Sequence, residues 1–383
     1  MAVGQSDEVE PADAIAAAIE ACREALGDLR PQAGILFSSF DSFDRSVVTA
    51  LGEAFPDATV MGSTSAAEIS SVGGYQEDSL TLAMFASDGV DVTTGIGVGL
   101  SVDIDAACRT AVAQARAVTT QEPKVCVVLA EGYGVDPQRS LDAMARALPA
   151  GVLIVGGTSA GRDFSAPRPS YQFCGDVVVD DGVAILLFSG PILASAAVGT
   201  GWRRLGATGV VTSSGSGVVH TIDGRPAIEF LARYLDATGP ASFGNPLGVI
   251  EAGGDEAYYR AILGSDPGSG SVSVSGEVPV GAVVQLSTAE IDDILTGTRM
   301  ALERATAAFP TGAEPEAALV FSCAVRRFLL GSRTRVEAEL ARSVFGEALP
   351  MAGIYCFGEI GPVRGVETSR YFNETFVTLL LGT

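Results

Sequence analysis

Gly62-Ser63-Thr64-Ser65-Ala66 returns 94 positions later as Gly156-Gly157-Thr158-Ser159-Ala160, and reading this pair decides the fold. Upstream of each copy lies an apolar run of strand length, Gly34 to Phe40 and Lys124 to Ala130. A helix-like segment follows each run, Asp44 to Phe55 and Pro137 to Leu148. Downstream, Ser79 to Phe85 and Gly182 to Phe188 read as first arms of hairpins. Both hairpins end in Gly-x-Gly, at Gly97-Val98-Gly99 and Gly199-Thr200-Gly201. Asp88-Gly89 and Ser189-Gly190-Pro191 supply the turns. A third, divergent copy closes the chain. Ala318 to Cys323 is its strand, Arg335 to Phe345 its helix, Ala352 to Glu359 its motif and Phe376 to Leu381 its last strand. Such a long period points to duplicated subdomains rather than a solenoid.

Apolar strands interleaved with helices predict an α/β (α+β) fold with mixed sheets. Duplicated strand-helix-strand-hairpin units form an N-terminal domain, and a related third unit sits in a C-terminal one. The expected division is a helical extension at 1–29, a first domain at 30–215 and a second at 216–383. A distinct region, roughly 203–317, separates copies two and three. It predicts strands around Ser213 to Gly217, a turn at Asp223 to Pro226, a helix over 227–236 and an exposed loop over Gly264 to Gly270. A longer helix follows, capped by Ser287 or Thr288.

Among 383 residues, 24 basic side chains face 46 acidic ones, a net charge of −22. That field repels polyphosphate and anionic membrane surfaces, so nucleic-acid and membrane partners are disfavoured. Val183 to Trp202 carries no charge over a membrane-spanning length, but Ser189-Gly190-Pro191 breaks it, so it reads as a buried hairpin. Cys22, Cys108, Cys126, Cys174, Cys323 and Cys356 form no CxxC pair. With an acidic N-terminus that lacks a signal-peptide pattern, they imply free thiols in a reducing cytoplasm.

The motif itself offers chemistry. Glycine at a strand end permits close backbone approach. Ser63, Thr64 and Ser65 then offer hydroxyls, and Glu68 a carboxylate. Copy two offers Thr158, Ser159 and Arg162, reversing the charge. Two such loops face to face would suit a zwitterionic or polar small molecule, although Ser/Thr-rich turns also satisfy their own backbone. In copy three the candidates are Cys323, Arg326, Glu359 and Asn373. Enzymatic use would make Cys323 or Ser65 a nucleophile and Glu359 or Glu68 its base, with Arg326 lowering the thiol pKa if the two face each other. His220 is the sole histidine and sits in an alternating strand pattern. No GxSxG elbow, P-loop, strand-linked GxGxxG or metal-ligand cluster is visible, so no catalytic residue and no cofactor or metal is assigned.

These residues carry a resemblance to the FIST family, over about residues 30–380. Val60 to Glu68 and Gly156-Gly157 are similar to its N-terminal part. Phe321 to Arg326, Gly353 to Ile360 and Phe372 to Thr375 are similar to its C-terminal part. Ala67 and Val325 stand where glycines are expected. The resemblance implies a sensory module that binds a small ligand, such as an amino acid or related metabolite, and acts through a separate signalling partner. It implies no enzymatic role. A haem-binding, nitric-oxide-sensing subset leaves haem as an alternative, with His220 or a cysteine as its axial ligand.

Overall fold

The structure is a computed structural model that describes residues 1–161, 170–235, 244–251, 253–254, 256–366 and 368–383. The chain builds one unit three times. The first comprises β1 (Ala2–Ser6), α1 (Pro11–Leu26), β2 (Ala33–Ser39), α2 (Arg45–Ala54), β3 (Thr59–Ser65), β4 (Ala67–Ser70), β5 (Gly74–Gln76) and β6 (Leu80–Phe85). The second comprises β7 (Asp91–Val98), α3 (Ile104–Arg116), β8 (Pro123–Ala130), α4 (Pro137–Ala147), β9 (Leu153–Thr158), β10 (Gln172–Cys174), β11 (Val177–Val179) and β12 (Gly182–Ser189).

The third unit opens with β13 (Leu193–Gly199) and is then interrupted by an inserted sheet. That insertion runs through β14 (Arg203–Gly215), β15 (Val218–Ile222), β16 (Arg225–Pro226), α5 (Ala227–Leu231), β17 (Leu247–Ile250), β18 (Tyr258–Arg260), β19 (Ile262–Asp266), β20 (Ser271–Val274) and β21 (Val283–Thr288). The unit resumes with α6 (Ile291–Ala308), β22 (Ala317–Cys323), α7 (Ala324–Leu330), α8 (Arg335–Phe345), β23 (Met351–Cys356), β24 (Glu359–Pro362), β25 (Ser369–Phe372) and β26 (Phe376–Gly382). Glu290 and Asp293 form the capping box of α6, in place of the expected Ser287 or Thr288. Of the helix expected over 227–236, Ala227–Leu231 is helical, and residue 236 lies outside the described residues.

Three sheets share one strand order: β1-β6-β2-β3-β10-β11, β7-β12-β8-β9-β24-β25 and β13-β26-β22-β23-β4-β5. Each is completed by a hairpin donated from another unit. Unit one receives β10-β11, unit two β24-β25 and unit three β4-β5. The mixed-sheet fold with repeated units is therefore present, but the predicted hairpin turns have a different role. The strands flanking Asp88-Gly89, β6 and β7, belong to different sheets, as do β12 and β13 around Ser189-Gly190-Pro191. A reversal signal is local and says nothing about which strand the departing arm will pair with. The uncharged run thus divides between two sheets. No helix among the described residues is long and apolar enough to cross a membrane.

The central strands are largely apolar because both faces are buried. Along β2, Ile35 and Phe37 point to the centre while Leu36 points to α1 and α2. Inward residues of all three sheets form one core, where Phe37 meets Phe321 edge-to-face at 6.4 Å. Burying each such ring contributes about 1.5–3 kcal/mol.

The repeated motif closes the ring. Ala66 N–H donates to the Tyr355 carbonyl (2.9 Å), Ala160 N–H to that of Thr64 (3.0 Å) and Phe357 N–H to that of Thr158 (3.3 Å). One equivalent bond thus joins each pair of units. The preceding glycine is a packing requirement. A Cβ at Gly62, Gly156 or Gly353 would lie 2.0, 1.9 or 2.2 Å from the carbonyl oxygen of Leu36, Val128 or Val320 on the neighbouring strand.

Candidate functional site

Sheet register defines the equivalent positions. Glu68 lies opposite Ile354, Glu359 opposite Gly157 and Gln172 opposite Ser63. The unit-two counterpart of the two glutamates is therefore Gln172. The sequence expectation places a reversed charge in the second copy at Arg162. Arg162 itself lies outside the described residues.

Each of these side chains occupies a buried junction. Glu68 accepts from the hydroxyls of Ser65 and Ser79. Gln172 donates to Ser159 Oγ (2.9 Å) and Glu131 Oε2 (3.2 Å), and its carbonyl accepts from Gly182 N–H (3.0 Å). Glu359 accepts from Thr375 N–H (3.1 Å) and Thr375 Oγ1 (2.8 Å), and it meets the thiols of Cys356 and Cys323. Burial pushes the carboxyls of Glu68 and Glu359 up to about 8, so both are mostly protonated at neutral pH.

The third junction opens onto a groove of about 700 Å³ between the insertion and the second and third units. Thr158, Cys323 and Asn373 line it, together with Tyr133, Phe357 and Tyr371. Thr158 is buried and its hydroxyl has no hydrogen-bond partner among the described residues. Asn373 donates to Phe357 O (3.3 Å) and Tyr371 Oη (3.0 Å), and accepts from Arg260 Nη1 (3.2 Å). Arg260 is buried between the rings of Tyr258 and Tyr371, 4.5 and 5.4 Å from their centroids, and also donates to Tyr371 O at 3.2 Å. This guanidinium ties the insertion to β25. Such an arrangement can hold a polar small molecule, through the Thr158 hydroxyl and the amide of Asn373 against an aromatic wall.

The other sequence candidates lie elsewhere. Ser63, Thr64, Ser65 and Glu68 do not line this groove. Thr64 Oγ1 accepts from Tyr171 N–H (2.9 Å), and Ser159 donates to Ala130 O (3.3 Å). Arg326 is fully buried. It pairs with Glu337 (2.8 Å) and also donates to Thr200 O (2.7 Å) and Thr298 Oγ1 (2.6 Å). Its partner is thus a carboxylate, and Cys323 gains no lowered pKa. Burial and the nearby Glu359 and Glu374 push that thiol well above its usual range, which makes it a weak nucleophile at neutral pH. His220 is exposed on β15 and lines neither this groove nor the other large cavity beside the insertion. All six cysteines are free thiols and buried. Among the described residues no metal-binding cluster occurs.

Sequence reasoning missed Arg260, Gln172 and Tyr371, which carry no local motif. It also missed Glu374, whose buried carboxyl oxygens both lack a partner among the described residues and which adjoins Asn373.

Comparison with known proteins bears on the whole chain. An uncharacterized protein of Mycobacterium tuberculosis is 30% identical over 179 residues, 44% of this chain and 46% of its own. An uncharacterized protein of Mycobacterium bovis is 28% identical over 179 residues, with the same shares. The chain thus spans about half the length of the curated relatives it matches. A cyanuric acid hydrolase from A. caulinodans aligns at a TM-score of 0.35 and 10% identity over 100% of this chain and 98% of its own. A second cyanuric acid hydrolase structure aligns at 0.37 and 11% over 99% and 98%. Likeness at that level says nothing about chemistry. The FIST N domain matches residues 32–225 and the FIST C domain residues 227–362, so the chain belongs to the FIST family.

Proposed function

We propose that this protein is a cytoplasmic sensor that binds a small polar metabolite in the groove beside Thr158, Cys323 and Asn373, and acts through a separate signalling protein. FIST domains are generally regarded as small-ligand sensory modules, which supports the reading. The observation that carries it is the Thr158 hydroxyl, buried at the groove wall without a partner. A buried polar group without a hydrogen bond costs about 1–3 kcal/mol, which a ligand would recover. Asn373 and the charged Asp136, Arg139 and Glu277 around the groove suit a ligand with both donors and acceptors, such as an amino acid or a related metabolite. Arg260 supplies the relay, because a ligand touching Asn373 presses on the contact that holds the insertion to β25.

A melting-temperature screen of the full chain against amino acids and related metabolites tests this. A native-state ligand raises the melting temperature by mass action. The expected result is a concentration-dependent rise that disappears in Thr158→Val while the unliganded variant melts normally. Failure of every compound, or a rise that survives Thr158→Val, overturns the assignment of the groove.

A further inference from the structure

A second cavity, of about 810 Å³, lies across β25 from the groove. Residues alternate along this strand as the pleat requires. Tyr371, and Asn373 beyond it, face the groove, whereas Arg370 and Phe372 face the second cavity. The two cavities therefore share a wall but have opposite chemistry.

Four arginines line this cavity, Arg204, Arg304, Arg364 and Arg370, against the carboxylates Asp293 and Glu256. Arg370 already pairs with Glu251 (3.2 Å), and Asp293 is held by Arg203 (2.7 Å). Arg204, Arg304 and Arg364 are exposed, and none makes an ion pair with a described residue. Three guanidinia at one cavity, without an ion pair to a described residue, stand out in a chain of net charge −22, whose overall field repels anions. The lining also includes Trp202 and Phe372, a surface suited to a flat apolar body, while the Tyr258 ring is already stacked by Arg260 and Arg370, each 4.5 Å from its centroid. The groove, with Asp136 and Glu277 against Arg139, has no such excess.

We infer that this cavity is a second binding site, for a small organic anion with an aromatic body and a carboxylate or phosphate group. The guanidinia receive the anionic group through charge-assisted, forked hydrogen bonds, and the ring rests on the aromatic lining.

Trp202 is the only tryptophan in the chain and lines this cavity, so its emission reports occupancy directly. The full chain is titrated with benzoate and with phenyl phosphate, using benzamide as the uncharged control. At least one anion should change the emission saturably, and benzamide should bind at least about tenfold more weakly, as the loss of a charge-assisted contact dictates. The tighter anion identifies carboxylate or phosphate as the preferred group. The double variant Arg304→Glu/Arg364→Glu should weaken binding about tenfold or more, and Arg364→Gln alone severalfold. Thr158→Val should leave the titration unchanged, which separates this site from the groove. A saturable response to neither anion, equal binding of benzamide, or full affinity in the two arginine variants overturns the proposal.

Discussion

Thr64 and Thr158 hold the same position in two copies of one unit, yet their hydroxyls do opposite things. Thr64 Oγ1 accepts the Tyr171 N–H at 2.9 Å. Thr158 Oγ1 is buried without a partner and lines a groove. At the third equivalent position, Tyr355 donates from its ring hydroxyl to Glu337 (2.7 Å) and joins the buried ion pair of Arg326. The backbone at all three positions is used identically, to close the ring. Duplication therefore preserved the geometry of the junction, and the neighbours of each copy set its chemistry. The groove exists because the third unit carries the insertion, whose residues Ser216, Gly217 and Gly276 complete its walls.

The sharpest way to break this comparison is at the shared backbone. Gly62→Ala and Gly353→Ala should each cost about 3 kcal/mol, because the new methyl meets a strand carbonyl that cannot move aside. Chemical denaturation measures both, and tolerance of either would mean that the copies are not packed alike. Next come the junction carboxyls. The folded chain holds Glu68 and Glu359 protonated up to about pH 8, whereas the unfolded chain releases those protons near pH 4.5. The native state therefore binds more protons across that window, and stability falls as pH rises through it. Glu68→Gln and Glu359→Gln should each flatten that fall and gain a few kcal/mol at pH 8 relative to pH 5, since each tenfold difference in proton affinity between the folded and unfolded chain is worth about 1.4 kcal/mol. Unfolding curves across the window check this, and a pH dependence unchanged by both variants would remove the equivalence of the two sites.

Smaller effects sharpen the contrast between the two threonines. Thr64→Val should cost about 1–2 kcal/mol by stranding the Tyr171 N–H, while Thr158→Val should be neutral or slightly stabilising. Equal costs in denaturant melts would show that Thr158 is as structural as its counterpart. Smallest of all, His220→Ala should change stability by no more than about 0.5 kcal/mol, since the side chain is exposed on β15.

Much of this architecture was legible in the chain. Gly62 and Gly156 marked the strand ends, Asp44 and Pro137 the helix starts, and the apolar runs around Ile35 and Val127 the doubly covered strands. The site was less legible. Thr158, Cys323 and Asn373 do meet at one groove, but Ser63, Thr64, Ser65 and Glu68 sit in another junction, and Arg326 belongs to an ion pair with Glu337. Arg260 joins Asn373 across 113 positions, a separation that no motif spans.

Local sequence determined what short-range physics controls: which segments become strands and helices, where the chain turns, and where only glycine fits between strands. Tertiary structure alone decided which sheet each arm entered, that Gln172 stands where Glu68 and Glu359 stand, and which of the two threonines was left without a partner among the described residues. Pairing and burial depend on what arrives from distant parts of the chain, and a repeated sequence encodes the unit without naming its neighbours.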